Sequence, residues 1–215
     1  MTQRFGPDAT HISRLLIFLF ALILLLLLVL LYLFSRSPLR QELGHFPLQT
    51  IPFSHKHHVG SLGIDCRYCH NQVDTSRFAG MPDTQTCMSC HSQLWTESEM
   101  LAPLRESFAE GRPLTWQRVH DMPDYVYFSH RAHVNNGVAC ETCHGRVDRM
   151  PLIKQSKPMT MRWCLDCHRE PEPNLRSPGN ATVMGAGEGI TADSDLLELY
   201  HIDVQGLTDC VVCHR

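Results

Sequence analysis

Ten cysteines occur in this 215-residue chain, and every one belongs to the same five-letter pattern, C-x-x-C-H. The five copies are Cys66, Cys69 and His70; Cys87, Cys90 and His91; Cys140, Cys143 and His144; Cys164, Cys167 and His168; and Cys210, Cys213 and His214. A chain of this composition should show far fewer than one such pattern by chance, and the pattern is the signature of c-type haem attachment. Two thiols three positions apart can each form a thioether to one porphyrin, and the adjacent imidazole then reaches the iron as proximal ligand. Five covalently bound haem c groups are therefore expected. Zinc is the competing reading, but five C-x-x-C pairs do not divide into four-cysteine sites, and zinc does not need a histidine after each second cysteine. A disulfide framework leaves the five histidines without a reason.

With five haems in so short a chain, about 36 residues outside the membrane serve each one, so the porphyrins must supply most of the apolar core. The expected fold is a haem-organised multihaem cytochrome c, mostly loops with short α-helices and little β, behind one N-terminal transmembrane helix. Residues 15–34 carry no charge, and about 20 such residues span the roughly 30 Å hydrocarbon core. A cleaved signal would have a shorter apolar region ending at small residues, whereas this run exits into Ser35, Arg36, Ser37 and Pro38, which favours an uncleaved anchor. Arg4 and Arg14 precede it and Arg36 and Arg40 follow, so charge scarcely orients it. Covalent haem attachment takes place on the exported side. That places the N-terminus in the cytoplasm, and the haem domain on the periplasmic side of a bacterial inner membrane. A net charge of -3 offers no excess for nucleic acid.

Behind the anchor the sequence is duplicated. FSHKHHV at residues 53–59 leads to two haem motifs, and FSHRAHV at 128–134 leads to two more, with Val73, Asp74, Met81 and Pro82 answered by Val147, Asp148, Met150 and Pro151. Each copy thus begins with two histidines three apart, one helical turn's separation. His55, His58, His130 and His133 are the expected distal ligands, closing the irons as six-coordinate centres suited to electron transfer. His57 has no counterpart in the second copy, where Ala132 stands, and reads as solvent-facing. For the remaining iron His120 comes first, ten residues before His130 as His45 is ten before His55. Met161 and Met150 follow as alternatives, then His201; Met81, Met159 and Met184 read as packing.

The boundaries predicted are 1–36 for the cytoplasmic N-terminus and anchor, 37–92 for a first two-haem module, 93–119 for a helical connector, 120–170 for a second module and 171–215 for a loop and fifth-haem segment. Within the connector, Pro103 suits a first helical position, Leu104 and Phe108 share a face, and Gly111 suits the stop. Residues 171–189 read as loop and 195–200 as a short helix. The GAGEG run at 185–189 lacks the strand-to-helix setting of a phosphate loop.

The segments FSHKHHVGSLGIDCRYCH, AGMPDTQTCMSCH, RVHDMPDYVYFSHRAHV, CETCHGRVDRMP, MRWCLDCHR and CVVCHR together resemble the pentahaem cytochrome c subunit of alternative complex III, a bacterial quinol:electron acceptor oxidoreductase. The resemblance covers nearly all of residues 50–170; beyond them the final motif stands mainly on its own pattern. It implies a subunit beside an iron-sulfur protein related to molybdopterin oxidoreductases, polytopic membrane subunits and a monohaem cytochrome c. Electrons would run from quinol through iron-sulfur clusters and these haems to a periplasmic cytochrome c or a terminal oxidase of a respiratory or photosynthetic chain. On this reading the chain is an electron-transfer subunit with no catalytic residues of its own. The residues themselves favour that conclusion, since all five motifs end in histidine and candidate distal ligands exceed the need. The alternatives are a self-sufficient membrane-anchored quinol dehydrogenase feeding a periplasmic reductase, in which His45 could serve a quinol site, and a multihaem reductase.

Overall fold

The structure, a computed structural model, describes residues 6–37, 43–186 and 195–214. Arg4 and Arg40 of the charge count, and Gly187 and Gly189 of the glycine run, lie outside the described residues. Two units separate along the chain, Met1–Leu43 and Gly44–Arg215.

In the first unit the apolar run forms α1, Pro7–Ser35, starting two turns earlier than the uncharged stretch. Pro7 explains the early start: its ring fixes the backbone angle a first helical turn needs and removes an N–H that would have no partner there. Asp8 in that turn sits favourably on the positive end of the helix dipole. Within Asp8–Ser35 an 18-residue stretch reaches a mean hydropathy of 3.4 with none of it buried, and the helix's roughly 43 Å length exceeds the hydrocarbon core. It is long and apolar enough to cross a membrane.

The second unit is built from short helices and loops: α2 Cys66–Cys69, α3 Thr84–His91, α4 Ala102–Glu110, α5 His130–Val134, α6 Cys140–His144, α7 Met161–Arg169, α8 Asp195–Leu199 and α9 Cys210–Cys213. Among the described residues no sheet forms; Val138 and Leu175 make an isolated antiparallel bridge. The connector helix is α4, with Pro103 in its first turn and Gly111 ending it at φ 64°. Its buried face departs from expectation. Leu104 and Ser107 are buried while Phe108 is 45% exposed, because Ser107 is drawn inward by hydrogen bonds to the Thr84 hydroxyl and the Arg112 carbonyl.

The two copies of the repeat sit crosswise. Lys56 N–H, in the first histidine segment, donates to the Met150 carbonyl behind the third haem motif at 2.9 Å. Arg131 N–H, its equivalent, donates to the Ser76 carbonyl behind the first motif at 3.1 Å, and His130 N–H to Arg77 at 3.0 Å. Asn135 Nδ2 donates to the Asp74 carbonyl at 3.1 Å; at the matching position Gly60 lies against the carbonyl of Asp148, so close that a Cβ would collide with it. Val73 and Val147, equivalent again, are both buried. Each histidine pair therefore rests on the other copy's haem loop.

One irregularity follows from counting. The first copy has one residue more than the second between its leading histidine and its first cysteine. The extra residue is absorbed as a π-helical turn at Lys56–Ser61, where Leu62 N–H reaches the His57 carbonyl five residues back, against the ordinary α-turn of α5. A single inserted residue in a helix produces this bulge, and such bulges gather at functional sites.

Candidate haem-ligating site

Each motif lies on a helical turn, which is what its spacing requires: positions i, i+3 and i+4 share one face, so both thiols and the imidazole project together. Helices of four to nine residues are marginal by themselves, and side-chain caps help fix three of them. The Asp65 carboxylate accepts from Arg67 N–H at 2.8 Å, that of Asp83 from Thr86 N–H at 2.7 Å, and the Thr160 hydroxyl from Trp163 N–H at 3.4 Å.

Seven of the nine histidines in the motifs and the two pairs share one feature that decides what they can do; His55 differs, its Nδ1 buried without a hydrogen-bond partner. In the motifs, Nδ1 of His70, His91, His168 and His214 faces the carbonyls of Gly80, Leu94, Leu207 and Tyr125 at 2.8, 3.2, 2.9 and 3.0 Å. Upstream, Nδ1 of His58 and His133 faces the Ser54 and Ser129 carbonyls at 2.9 and 2.8 Å, and that of His130 faces Arg77 at 3.0 Å. A carbonyl only accepts, so Nδ1 must carry the proton and Nε2 keeps its lone pair. That tautomer, held by a second partner, is the one a metal-ligating histidine adopts. Phe53 orients His55 and His58 at ring separations of 4.9 and 4.3 Å, and Phe128 orients His130 and His133 at 4.8 and 4.6 Å.

Two imidazoles ligating one iron from opposite sides, each at a metal–nitrogen distance of about 2 Å, stand with ring centres roughly 6 Å apart. The structure brings His58 to 6.2 Å from His91, His133 to 6.1 Å from His168 and His130 to 6.3 Å from His144 with planes 7° apart. His55 lies near enough to His70 to depress its affinity for a proton, after burial itself, which together hold it to about 4. Burial, then the neighbouring His120, holds His144 to about 3. Both shifts favour the neutral ring, the form in which a nitrogen lone pair is available to iron. His120 stands 4.4 Å from His144, edge to face, too close for an iron between them. Its Nε2 is buried with no hydrogen-bond partner, and burial lowers it to about 4.

The other candidates are placed differently. Met150 is buried in the small apolar core, whereas Met161 is 67% exposed. His201 is exposed at φ 52°, and so is His57. The ten cysteines form no disulfides, and most are half-buried. No large side chain among the described residues is fully buried, so the second unit has little protein core to hold it. Sparse core, paired thiols and ligand-ready imidazoles at iron-spanning separations all fit haem c.

A family model described as cytochrome c7 and related cytochrome c matches residues 51–101 and 126–215. The chain belongs to that family. As a multihaem cytochrome c it carries covalently bound haem, and the matched residues include all five motifs and both histidine pairs, leaving out α4 and His120. Over 97 residues this cytochrome is 39% identical to a protein of Nitratidesulfovibrio vulgaris named menaquinone reductase, multihaem cytochrome c subunit. The match spans 45% of the chain and 45% of that relative.

Some site residues carry no sequence signal, among them the carbonyls that fix seven of the Nδ1 atoms. Others left a trace. Glu141, inside the third motif, accepts from the buried Arg176 guanidinium at 3.4 Å and from Gly185 N–H at 2.7 Å. A charge between paired cysteines hints at a partner, but the partner lies 35 residues away.

Proposed function

We propose that this cytochrome binds five haem c groups and carries electrons between quinol and a periplasmic cytochrome c or terminal oxidase, as the electron-transfer subunit of a complex like alternative complex III. The observation that supports this best is the opposed pairing of imidazoles. Haem c, when bound, supplies one-electron iron chemistry, and two axial histidines confine it to that role by excluding other ligands. His70, His91, His144, His168 and His214 are the proximal ligands; His55, His58, His130 and His133 are the distal ligands facing the first four. For the His214 iron the candidates are His120, then Met161, Met150 and His201; the His120 ring packs against His144. The helix α1 anchors the chain in the cytoplasmic membrane with residues 44–215 on the periplasmic side. An iron-sulfur subunit, polytopic membrane subunits and a monohaem cytochrome c complete the assembly, and the sequence modules at 37–92 and 120–170 each carry two haems.

The relative's name favours a second reading, in which electrons run the other way, toward menaquinone. Purifying the native complex and assaying both directions separates the two: quinol-dependent reduction of the haems supports the first, and electron delivery to a quinone without it supports the second. Reduced protein is expected to bind carbon monoxide at far below one equivalent per chain; a large high-spin, carbon-monoxide-binding fraction in the difference spectrum would show an open iron and a catalyst. His133→Ala is expected to convert one low-spin centre while all five haems stay covalently attached, as seen by EPR and intact mass. An unchanged low-spin spectrum would remove His133 from the ligand set.

A further inference from the structure

We infer that the five attachment sites form one row, in the order His91, His70, His144, His168, His214, so that passage between the two copies of the repeat occurs where Cys66 meets Cys140. This rests on the five-haem reading above and adds a route to it. The order is not that of the sequence.

Four junctions define the row. Within the first copy, His58 faces His91, and Tyr68 inside the first motif hydrogen-bonds Ser89 inside the second at 2.9 Å, so the two sites adjoin. The second copy repeats this with His130 on His144 and His133 on His168. Between copies, a single strap runs past both motifs: Ala181 accepts from Cys140 N–H at 2.9 Å, and the neighbouring Thr182 carbonyl lies 4.0 Å from Cys66 Sγ. The same strap is pinned at both ends, by Thr182 Oγ1 to Asp65 at 2.8 Å and Gly185 N–H to Glu141 at 2.7 Å. At the last junction His168 Nδ1 donates to Leu207, three residues before Cys210. Burial follows the same order: the two exposed cysteines, Cys90 and Cys210, belong to the end sites.

Each thioether fixes one edge of a porphyrin, and the rate of electron passage falls steeply with the gap between edges. Cysteines in contact therefore mark the crossing. Every passage moves one electron, one iron going from ferrous to ferric as its neighbour does the reverse, with no bond or proton transferred. A quinol passes two electrons into the row one after the other and releases its two protons to solvent, and two one-electron acceptor proteins in turn take the electrons from the far end. The partners then meet the cytochrome at the His91 and His214 ends.

Iron positions from anomalous diffraction of the full haem-loaded protein test the row directly. The expected result is that the Cys66 and Cys140 sites hold each other's nearest iron across the copies, and that the His214 iron has the His168 iron as nearest neighbour. Another iron between Cys66 and Cys140, or the His214 iron closest to a different site, overturns the order. Potentiometry gives a second readout: His58→Met should raise the midpoint of the His91 centre and shift one neighbour, that of His70, whereas a shift at His214 counts against the row. Five haems in this order without quinol-dependent reduction would sink the proposed function and leave the row standing.

Discussion

Gly60→Ala is expected to destabilise the haem-bearing unit by about 1–3 kcal/mol, the cost of forcing a methyl into a filled space, and to disturb the centre of His58 before any other. The added Cβ would collide with the backbone oxygen of Asp148, and backbone cannot rotate aside as a flexible side chain can. Asp148 is itself clamped by Arg146, whose Nε and guanidinium NH2 donate to its carboxylate at 2.8 and 2.6 Å. Relief must therefore come from the π-turn, which carries His58 two residues earlier and faces it to His91 across 6.2 Å. The melting temperature should fall by about 2–4 °C for each kcal/mol in a unit of this size, with the EPR signal of a single low-spin centre altered. An unchanged melt and spectrum would show that the two copies do not hold each other at this point. The equivalent residue behaves differently because the second copy lacks the inserted residue: Asn135 bonds Asp74 through its side chain, so Asn135→Ala loses a hydrogen bond worth about 1 kcal/mol.

What could be read from the sequence was what is local in it. The haem motifs are complete within five residues, the apolar run declares its own helix, and α4 and α8 are bounded by Pro103, Gly111 and the acidic start at Asp195. The repeat was visible as well, since FSHKHHV and FSHRAHV align by eye. The crosswise seating was not, because it is made by backbone carbonyls at Ser76, Arg77 and Met150, which any residue could offer. Phe108 was misplaced for a similar reason. Helical periodicity ranks an aromatic above a serine, but here Ser107 has two hydrogen-bond partners inside and takes the buried position. The strap through Ala181 and Thr182 lies in a stretch whose Pro, Gly and Asn content says only that it is irregular. Its role comes from where its carbonyls end up.

Cys140→Ser together with Cys143→Ser is expected to cost more than the loss of one haem. The third motif lies at the centre of the unit: Ala139 before it is 1% exposed, Val147 and Met150 after it are buried, and the buried Arg176 closes on Glu141 within it. Removing both tethers leaves the porphyrin there bound by ligation alone, and the small protein core cannot replace the apolar surface that it covers. A destabilisation of a few kcal/mol at such a site lowers the amount of folded chain in the cell several-fold, so accumulation of roughly a tenth or less is expected. Cys210→Ser together with Cys213→Ser supplies the comparison. Its site is at the end of the chain, with Cys210 exposed, and that variant should accumulate near normally with four haems instead of five. Haem staining, intact mass and thermal melting of the two double variants read the difference. Equal accumulation, with four haems in each, would mean that the third haem is a passenger in the fold and that α6 owes its position to protein contacts alone.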